Sequence, residues 1–185
     1  MAARVSDHLL TLAQTAPLSP AHWSRFFAGL RQEIPVDRIC ALLQADRYTG
    51  IVVRVAQEPE LEAALGGEGF YADREHSKAF AVIAEGQPAL VRPEEWTRYP
   101  DLQFFWPTLR SNLKFPVSLG GWAAVWNVWS RKPEQYTEAD LERLRPLAAE
   151  VSRSPFRFEA PPVGLAIRQM LALQRERQAQ GRAVA

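Results

Sequence analysis

Cysteine is almost missing from this sequence, and so is net charge. Cys40 is the one cysteine among 185 residues, which excludes an intrachain disulfide and a cysteine-rich metal site. The protein is therefore expected in the cytoplasm. The formal net charge is +1. This value weighs against nucleic acid as the main partner, because domains that bind nucleic acid usually carry a basic stripe.

Long apolar runs are also missing. No stretch has the roughly 20 apolar residues that a helix needs to cross a bilayer, so we predict no membrane contact. The first residues contain a charge and no long apolar centre, unlike a signal peptide.

The sequence also lacks a glycine-rich phosphate loop, an HExxH motif and a Ser-His-Asp order. We therefore predict that the protein is not an enzyme.

What is present is the composition of a soluble globular protein, with 47% hydrophobic and 23% charged residues. Amphipathic helices are predicted near both ends. Ser19-Pro20 is a good helix start. The helix that follows carries four apolar residues on one face: Trp23, Phe26, Phe27 and Leu30. Near the other end, Thr137 is a predicted N-cap, with Asp140 at the third helical position. The apolar stripe of that helix consists of Leu141, Leu144, Leu147 and Val151.

Two hairpins are predicted between these helices. The runs "RICALLQA" and "TGIVVRVAQ" form the first, because both are apolar and the second is rich in β-branched residues. The run "SNLKFPVSLGGWAAVWNVWS" forms the second, with Gly120-Gly121 at its turn. In its last strand, residues 122–129, both faces are mostly apolar. We therefore expect this strand to be central in a sheet that helices cover on both sides.

The middle of the chain is predicted to contain one helix and an irregular aromatic stretch. The helix is "DREHSKAFAVIAEGQ", with Phe80, Ile83 and Ala84 facing inward and Gly86 as its C-cap. A short strand, "PALVRP", follows it. The stretch "EEWTRYPDLQFFWPTLR" is aromatic, is broken by prolines and has no clean period. We interpret this stretch as a loop with one or two helical turns.

In this order, the pieces resemble the GAF domain family. The run "AVWNVWSRKPEQYTEADLERLRPLAAEV" is similar to the family's last strand and C-terminal helix. The run "SKAFAVIAEGQPALVRP" is similar to its middle helix and the short strand after it, and "SNLKFPVSLGG" to the strand before its tight turn. The resemblance covers about residues 20–151.

The resemblance implies an α+β fold of the GAF/PAS type. A central antiparallel sheet would carry the helices from both chain ends on one face and a loop-and-helix lid over a pocket on the other. We divide the chain into an N-terminal helical segment (1–18), a GAF-like domain (19–154), and a linker with a C-terminal amphipathic helix (155–185). The apolar face of that last helix consists of Val163, Ala166, Ile167, Met170 and Leu171.

GAF domains generally bind small regulators such as cyclic nucleotides, nitrate, 2-oxo acids or tetrapyrroles. The motif of the cyclic-nucleotide members fits poorly. Tyr136 and Asp140 match its second half, but Leu141 replaces its glutamate and the chain has no Asn-Lys pair. Bilin-binding members attach their pigment through a cysteine. Cys40 lies in an apolar strand run and is interpreted as a buried structural residue.

Haem and thiol chemistry are also poorly supported. Haem would need an axial histidine, but His8, His22 and His76 are isolated and are interpreted as surface or cap residues. The free methionine-(R)-sulfoxide reductases, an enzymatic branch of the family, need two thiols, whereas the sequence has one. We therefore expect no cofactor and no metal.

Two groups of residues are candidates for ligand contact. In the aromatic stretch, arginines alternate with aromatic side chains, as in a pocket for a small anionic or aromatic ligand. Its candidates are Trp96, Phe104, Phe105, Trp106 and Arg110. Tyr71, Arg74 and Lys78 flank the start of the middle helix, where an anion is favoured. Trp126 of the last strand completes the set. In the simpler alternatives, the aromatics fill the space beneath the lid and the cations are solvated surface charges.

These observations predict a non-enzymatic cytoplasmic sensor that binds an unidentified small molecule and signals through its terminal helices. No output domain is recognised, so the signal is expected to leave through a homodimer contact or a kinase or regulator partner. The alternative is a GAF-like interaction or dimerisation scaffold whose aromatic-filled pocket binds no ligand. An enzyme on a related PAS-like or profilin-like fold would need a catalytic set that the sequence does not contain.

Overall fold

The computed structural model describes residues 4–45, 49–65, 71–73, 77–105 and 107–159. A six-stranded antiparallel sheet lies at the centre of this part of the chain. The strands are β1 (Arg38–Gln44), β2 (Thr49–Gln57), β3 (Tyr71–Asp73), β4 (Ala89–Leu90), β5 (Ser111–Leu119) and β6 (Trp122–Ser130). Their order across the sheet is β3-β2-β1-β6-β5-β4. The prediction of a central last strand is confirmed, because β6 lies between β1 and β5.

Helices cover both faces of the sheet. The terminal-helix face carries α1 (Asp7–Thr15), α2 (Pro20–Glu33) and α7 (Glu138–Arg153). The lid face carries α3 (Pro59–Leu65), α4 (Lys78–Glu85), α5 (Glu95–Arg98) and α6 (Pro100–Phe105). A 3-10 turn, Ala16–Leu18, joins the first two helices. The predicted α+β class, with a central antiparallel sheet flanked by helices, is confirmed.

Strand β1 shows how the sequence is divided between the two faces. Ile39, Ala41 and Leu43 belong to the core under the terminal helices, and Cys40 and Leu42 to the core under the lid. Successive side chains of a strand point to opposite sides, so a strand that is covered on both sides is apolar throughout. Cys40 is buried, as predicted.

Capping residues define the starts of the two long helices. The Ser19 hydroxyl accepts a hydrogen bond from the His22 backbone N–H at 3.2 Å, and Pro20 is the first residue of α2. At α7, Thr137 and Asp140 form a reciprocal capping box, in which the Thr137 backbone N–H donates to Asp140 Oδ2 at 2.9 Å. The predicted apolar stripes of both helices are buried.

The turn between β5 and β6 requires glycine. Gly120 and Gly121 have φ values of +59° and +88°, in the left-handed region that this kind of two-residue hairpin turn needs. A side chain at position 120 would also meet Phe158 at 3.1 Å, because the residues after α7 run back along the turn. The predicted hairpin is confirmed.

The middle helix differs from its prediction. Asp73 is the last residue of β3, and α4 begins only at Lys78, with Ser77 as its N-cap. The buried residues of α4 are Ala79, Phe80 and Val82. Of the others predicted to face inward, Ile83 is half-buried and Ala84 is exposed. The helix is rotated about its axis so that Val82, rather than Ala84, faces the sheet.

Four further predictions have different outcomes. Gly86 ends α4 with a φ of +66°, as a C-cap glycine should. The aromatic stretch contains two short helices, α5 and α6, in agreement with the predicted helical turns. The predicted last helix lies outside the described residues, and the division of the chain at residues 18/19 and 154/155 stays a prediction.

A polar junction joins the three helices of the terminal-helix face. Glu33, the last residue of α2, accepts hydrogen bonds from the Ser6 backbone N–H at 3.1 Å and from the Ser6 hydroxyl at 2.5 Å. Its other carboxylate oxygen accepts from the Arg143 guanidinium of α7 at 3.2 Å, and its backbone carbonyl accepts from the same group at 3.3 Å. Ser6 is the N-cap of α1, so one carboxylate connects the three helices.

We predict that Glu33→Gln lowers the free energy of unfolding by about 1–3 kcal/mol, because it weakens hydrogen bonds between charged groups. Urea titration of the purified protein measures this change. Glu142→Gln is the matched control, since Glu142 pairs with Arg145 on the exposed side of α7, where loss of an ion pair has little effect. Equal stability of both variants and the parent would contradict the prediction.

Candidate functional site

The lid face of the sheet carries four buried polar side chains near its centre: Arg38, Asn112, Lys114 and Asn127. Each is at most 3% exposed. Arg38 comes from β1, Asn127 from β6, and the other two from β5, where alternate positions point to the same side. Burying such groups is unfavourable unless they are hydrogen-bonded. Their position in well-covered strands identifies this region as the candidate site.

Lys114 is held by its neighbours on β6. Its Nζ donates to Asn127 Oδ1 at 2.7 Å and lies 5.0 Å from the ring centre of Trp129. The Asn127 amide nitrogen donates in turn to the Val125 carbonyl at 3.3 Å. The hydrogen bond and the cation–π contact together place the ammonium group at a defined point beneath the lid.

Asn112 and Trp129 face each other across β5 and β6. The Asn112 amide nitrogen donates to the carbonyls of Leu113 at 3.1 Å and Val128 at 3.0 Å, which fixes the orientation of the amide because a flip would set oxygen against oxygen. Among the described residues, Asn112 Oδ1 has no hydrogen-bond partner, and neither has Trp129 Nε1. An acceptor and a donor are therefore buried side by side without partners.

Arg38 places a second cation on the same face. Its guanidinium donates to Oε1 of Gln57, the residue opposite it on β2, and lies 5.9 Å from the ring centre of Phe105. Phe105 is the last residue of α6, so this cation lies below a lid helix. The site combines a guanidinium and an ammonium group with aromatic walls.

Aromatic side chains of the lid pack on Trp129. The ring centres of Trp96 in α5 and Phe105 in α6 lie 6.0 and 4.8 Å from that of Trp129. Leu102 and Leu109 belong to the same layer and are fully buried. The lid is therefore closed on the sheet at Trp129.

An ion pair joins two of the lid helices. Lys78 Nζ, in the first turn of α4, lies 2.7 Å from Oε1 of Glu95 in α5 and 5.7 Å from the ring centre of Tyr99. Glu95 also accepts a hydrogen bond from the Arg92 backbone N–H at 2.9 Å. Lys78, a predicted anion contact, thus has a carboxylate of the protein itself as its neighbour.

Solved structures of similar fold cover most of the chain. The GAF domain of a two-component sensor histidine kinase from Bacillus halodurans aligns with a TM-score of 0.55 at 16% identity, over 81% of this chain and 92% of that one. The GAF domain from an Acinetobacter phosphoenolpyruvate-protein phosphotransferase gives 0.54 at 15%, over 80% and 92%. The fRMsr of Staphylococcus aureus, solved with its substrate, gives 0.56 at 11%, over 82% and 97%. The chain has the GAF domain fold.

The resemblance seen in the sequence is thereby confirmed at the level of the GAF fold. No protein-family profile and no curated protein matches the sequence. Because one fold hosts many functions, the function has to be argued from the residues of the site.

The GAF fold brings some of the predicted contact residues together. Trp96 and Phe105 lie in the lid above Trp129, and Arg110 is half-buried just before β5. Four other candidates are not fully described. The side chains of Tyr71 and Phe104 lie outside the described structure, and so do Arg74 and Trp106 as whole residues.

Trp126, a predicted ligand contact, lies on the face of the sheet opposite the candidate site. Its side chain is fully buried on the terminal-helix face, with its ring centre 5.4 Å from that of Phe26 and 5.0 Å from that of Phe115. Trp126 and Trp129 are an odd number of positions apart in one strand, so they point to opposite sides. Of the two, Trp129 belongs to the candidate site.

Sequence reasoning misses the four polar residues of the site. A signal exists in β5 and β6, where Asn112, Lys114 and Asn127 interrupt runs that are otherwise mostly apolar. In a strand that is covered on both sides, such a polar residue is buried whichever way it points. Arg38 gives no such signal, because it opens β1 directly after the charged Asp37.

The two histidines that the structure describes lie on the terminal helices α1 and α2. His22 Nδ1 lies 2.7 Å from the Ser19 hydroxyl at the start of α2, and His8 is exposed. His76 lies outside the described residues.

Within the described ranges, no group of His, Cys, Asp and Glu side chains could hold a metal ion. No helix in those ranges has both the length and the apolarity to cross a membrane.

Tyr136 and Asp140, which match half of the cyclic-nucleotide motif, have structural roles at the start of α7. Asp140 completes the capping box of that helix. The Tyr136 hydroxyl is buried and donates to the Pro35 carbonyl at 3.0 Å. Burial raises the pKa of the Tyr136 phenol well above its ordinary value of about 10, and the charges of Asp37 and Asp140 raise this pKa further.

We predict that the protein loses stability as the pH rises above about 10, and that Tyr136→Phe reduces this loss. The phenol loses its proton in the unfolded chain at a lower pH than in the folded protein, so deprotonation favours unfolding between the two pKa values. At neutral pH the same variant loses about 0.5–1.5 kcal/mol with its hydrogen bond. Urea titrations at about pH 8 and about pH 10.5 test this. The same pH dependence in both proteins would refute it.

Proposed function

We propose that the protein is a non-enzymatic small-molecule sensor that binds its ligand on the lid face of the sheet. One observation carries this proposal. Asn112 Oδ1 and Trp129 Nε1 lack hydrogen-bond partners among the described residues, although both side chains are buried. Buried polar atoms in folded proteins are nearly always paired. A ligand held between the sheet and the lid would supply both partners.

The charges around this pair indicate the class of ligand. Lys114 and Arg38 bring an ammonium and a guanidinium group to the same face, and such groups favour an anion with oxygen acceptors. Apolar and aromatic side chains surround them, as is usual in ligand pockets. We propose a small organic anion that also donates a hydrogen bond to Asn112.

Binding would act on the position of the lid. Trp96 and Phe105 pack on Trp129, so a ligand at this place has to displace the lid aromatics. The ion pair between Lys78 and Glu95 joins α4 to α5, so these two helices would move together. The ligand would shift the population toward the displaced lid in proportion to its preference for that state.

The signal would leave through the terminal helices. α7 packs on β5 and on α1. β5 carries Asn112 and Lys114 on its lid face, and Leu113 and Phe115 in the core under the terminal helices. A displacement of β5 therefore reaches α7 directly. We propose a homodimer contact, or a kinase or regulator partner in the cytoplasm, as the output.

A second function is favoured by the aromatic side chains that fill the space between the lid and the sheet. Trp96, Phe105 and Trp129 form a continuous aromatic layer, which is what a silent interaction or dimerisation scaffold would have. In a scaffold, Lys114 and Asn127 would only stabilise the sheet. No small molecule would then stabilise the protein.

We predict that a small organic anion raises the melting temperature of the protein and that Lys114→Met abolishes this shift. The measurement is a thermal-shift screen with nitrate, cyclic nucleotides, 2-oxo acids, amino acids, purines and tetrapyrroles. A ligand at about 100 times its Kd stabilises the fold by about 2.7 kcal/mol, which corresponds to several degrees.

Lys132→Met is the matched control, because Lys132 is an exposed lysine in the loop before α7 and should keep the ligand response. The melting temperature of the free Lys114→Met variant gives separate information. Replacing a buried charge by an apolar side chain of similar size is often neutral for stability, whereas removing a group that satisfies a buried hydrogen-bond partner is destabilising. No shift with any compound, together with a strongly destabilised Lys114→Met, would contradict the sensor and support the scaffold.

A further inference from the structure

A cavity of about 550 Å³ opens at the β4 edge of the sheet. Its walls come from residues 90–93 at β4, residues 110–111 at the start of β5, residue 96 of α5, and residues 133–134 and 136–138 where α7 begins. None of the four polar residues on the lid face of the sheet lines this edge cavity. The edge cavity therefore contains none of the polar groups of the site proposed above, although Trp96 borders both.

Two arginines approach the edge cavity from different elements. Arg92 follows β4 and forms an ion pair with Glu138 of α7 at the mouth, where the two side chains are 51% and 61% exposed. Arg110 is half-buried. Its backbone N–H donates to the Ser130 carbonyl at 2.7 Å, which fixes the position of its main chain. Two guanidinium groups at one cavity favour the carboxylate of a ligand.

Most of the remaining lining is apolar. It includes Leu90, Val91, Pro93, Trp96 and Pro133. Trp96 is 3% exposed and also belongs to the aromatic layer of the lid. An apolar lining with a few placed cations is the usual composition of a pocket for a small organic anion.

The wall next to α7 has an unusual backbone. Glu134 has a φ of +50°, in the left-handed region that is unfavourable for a residue with a Cβ atom. Glycine is the residue that usually occupies this region, but the chain has a glutamate here. Backbone strain of this kind is found preferentially at ligand sites.

The edge cavity also joins the lid to the terminal helices. Trp96 belongs to α5, whereas Thr137 and Glu138 belong to the start of α7, where the capping box holds the first turn. A molecule in the cavity would contact both elements at once. Its binding would therefore affect the position of the lid relative to α7.

We propose that the edge cavity is a second binding site, for a small carboxylate with an apolar body. The carboxylate lies between the guanidinium groups of Arg92 and Arg110, and the apolar body packs on Trp96 and Pro93. Glu138 competes with the ligand for Arg92, so the ion pair at the mouth opens when the ligand binds.

Titration of the labelled full chain with hydrocinnamate tests this proposal, with the uncharged amide of the same acid as the matched compound. Two-dimensional NMR follows the indole N–H signals of the six tryptophans, and Trp96→Phe assigns the signal of Trp96. We expect hydrocinnamate to shift the Trp96 signal at concentrations at which the amide does not.

Three variants measure the contribution of each charge. Glu138→Gln removes the competing carboxylate and should tighten hydrocinnamate binding about two- to fivefold, the size expected for an exposed ion pair. Glu142→Gln is the matched control, one turn further along α7 and similarly exposed, and should leave the affinity unchanged. Arg110→Met should weaken binding about tenfold or more, because it removes a hydrogen bond between charged groups.

The outcomes separate this site from the one on the lid face. Equal binding of hydrocinnamate and its amide, an unshifted Trp96 signal, or equal affinities of Glu138→Gln and Glu142→Gln would each overturn the proposal. Unchanged hydrocinnamate binding by Lys114→Met supports the edge cavity. Loss of binding in that variant would place hydrocinnamate on the lid face and overturn the proposal.

Discussion

Strand β6 lies between two neighbouring strands and beneath helices on both faces, and this central position governs how the other elements pack. This strand is hydrogen-bonded to β1 and β5, and helices cover both of its faces, so its side chains from Ala124 to Ser130 are buried whichever way they point. Trp126 packs in the core under the terminal helices, and Trp129 packs in the core under the lid. Strand β6 thus separates the core under the terminal helices from the core under the lid, where the candidate site lies.

Polar groups are distributed differently on these two halves. On the terminal-helix face, the carboxylate of Glu33 and the guanidinium of Arg143 meet where α2 ends, at the border of the core. On the lid face, the ammonium group of Lys114 and the amide of Asn127 lie in the middle of the sheet. An apolar pair of similar size would often serve stability as well as buried charges do. The proposal of ligand binding on the lid face rests in part on the placement of these groups.

Trp96 is the residue that the lid-face site and the edge cavity share. Its ring packs on Trp129, and its side chain also lines the edge cavity. A ligand that moves α5 at one site would change the affinity of the other, and this coupling would be reciprocal. Both sites also reach the same helix. The edge cavity contacts α7 directly at Glu138, and the lid face reaches it through β5.

Caps, turns and apolar periods act over a few residues, so the order and type of most elements, and the resemblance to the GAF fold, could be predicted from the sequence, whereas the short strand β3 could not. The Thr137 N-cap is one such local signal. Trp126 and Trp129 look alike in sequence, and only the packing on each face of the sheet separates a core residue from a site residue. Lys114 and Asn127 meet only through the pairing of β5 with β6. The candidate site therefore forms only in the folded protein, because such contacts join distant positions and depend on strand register.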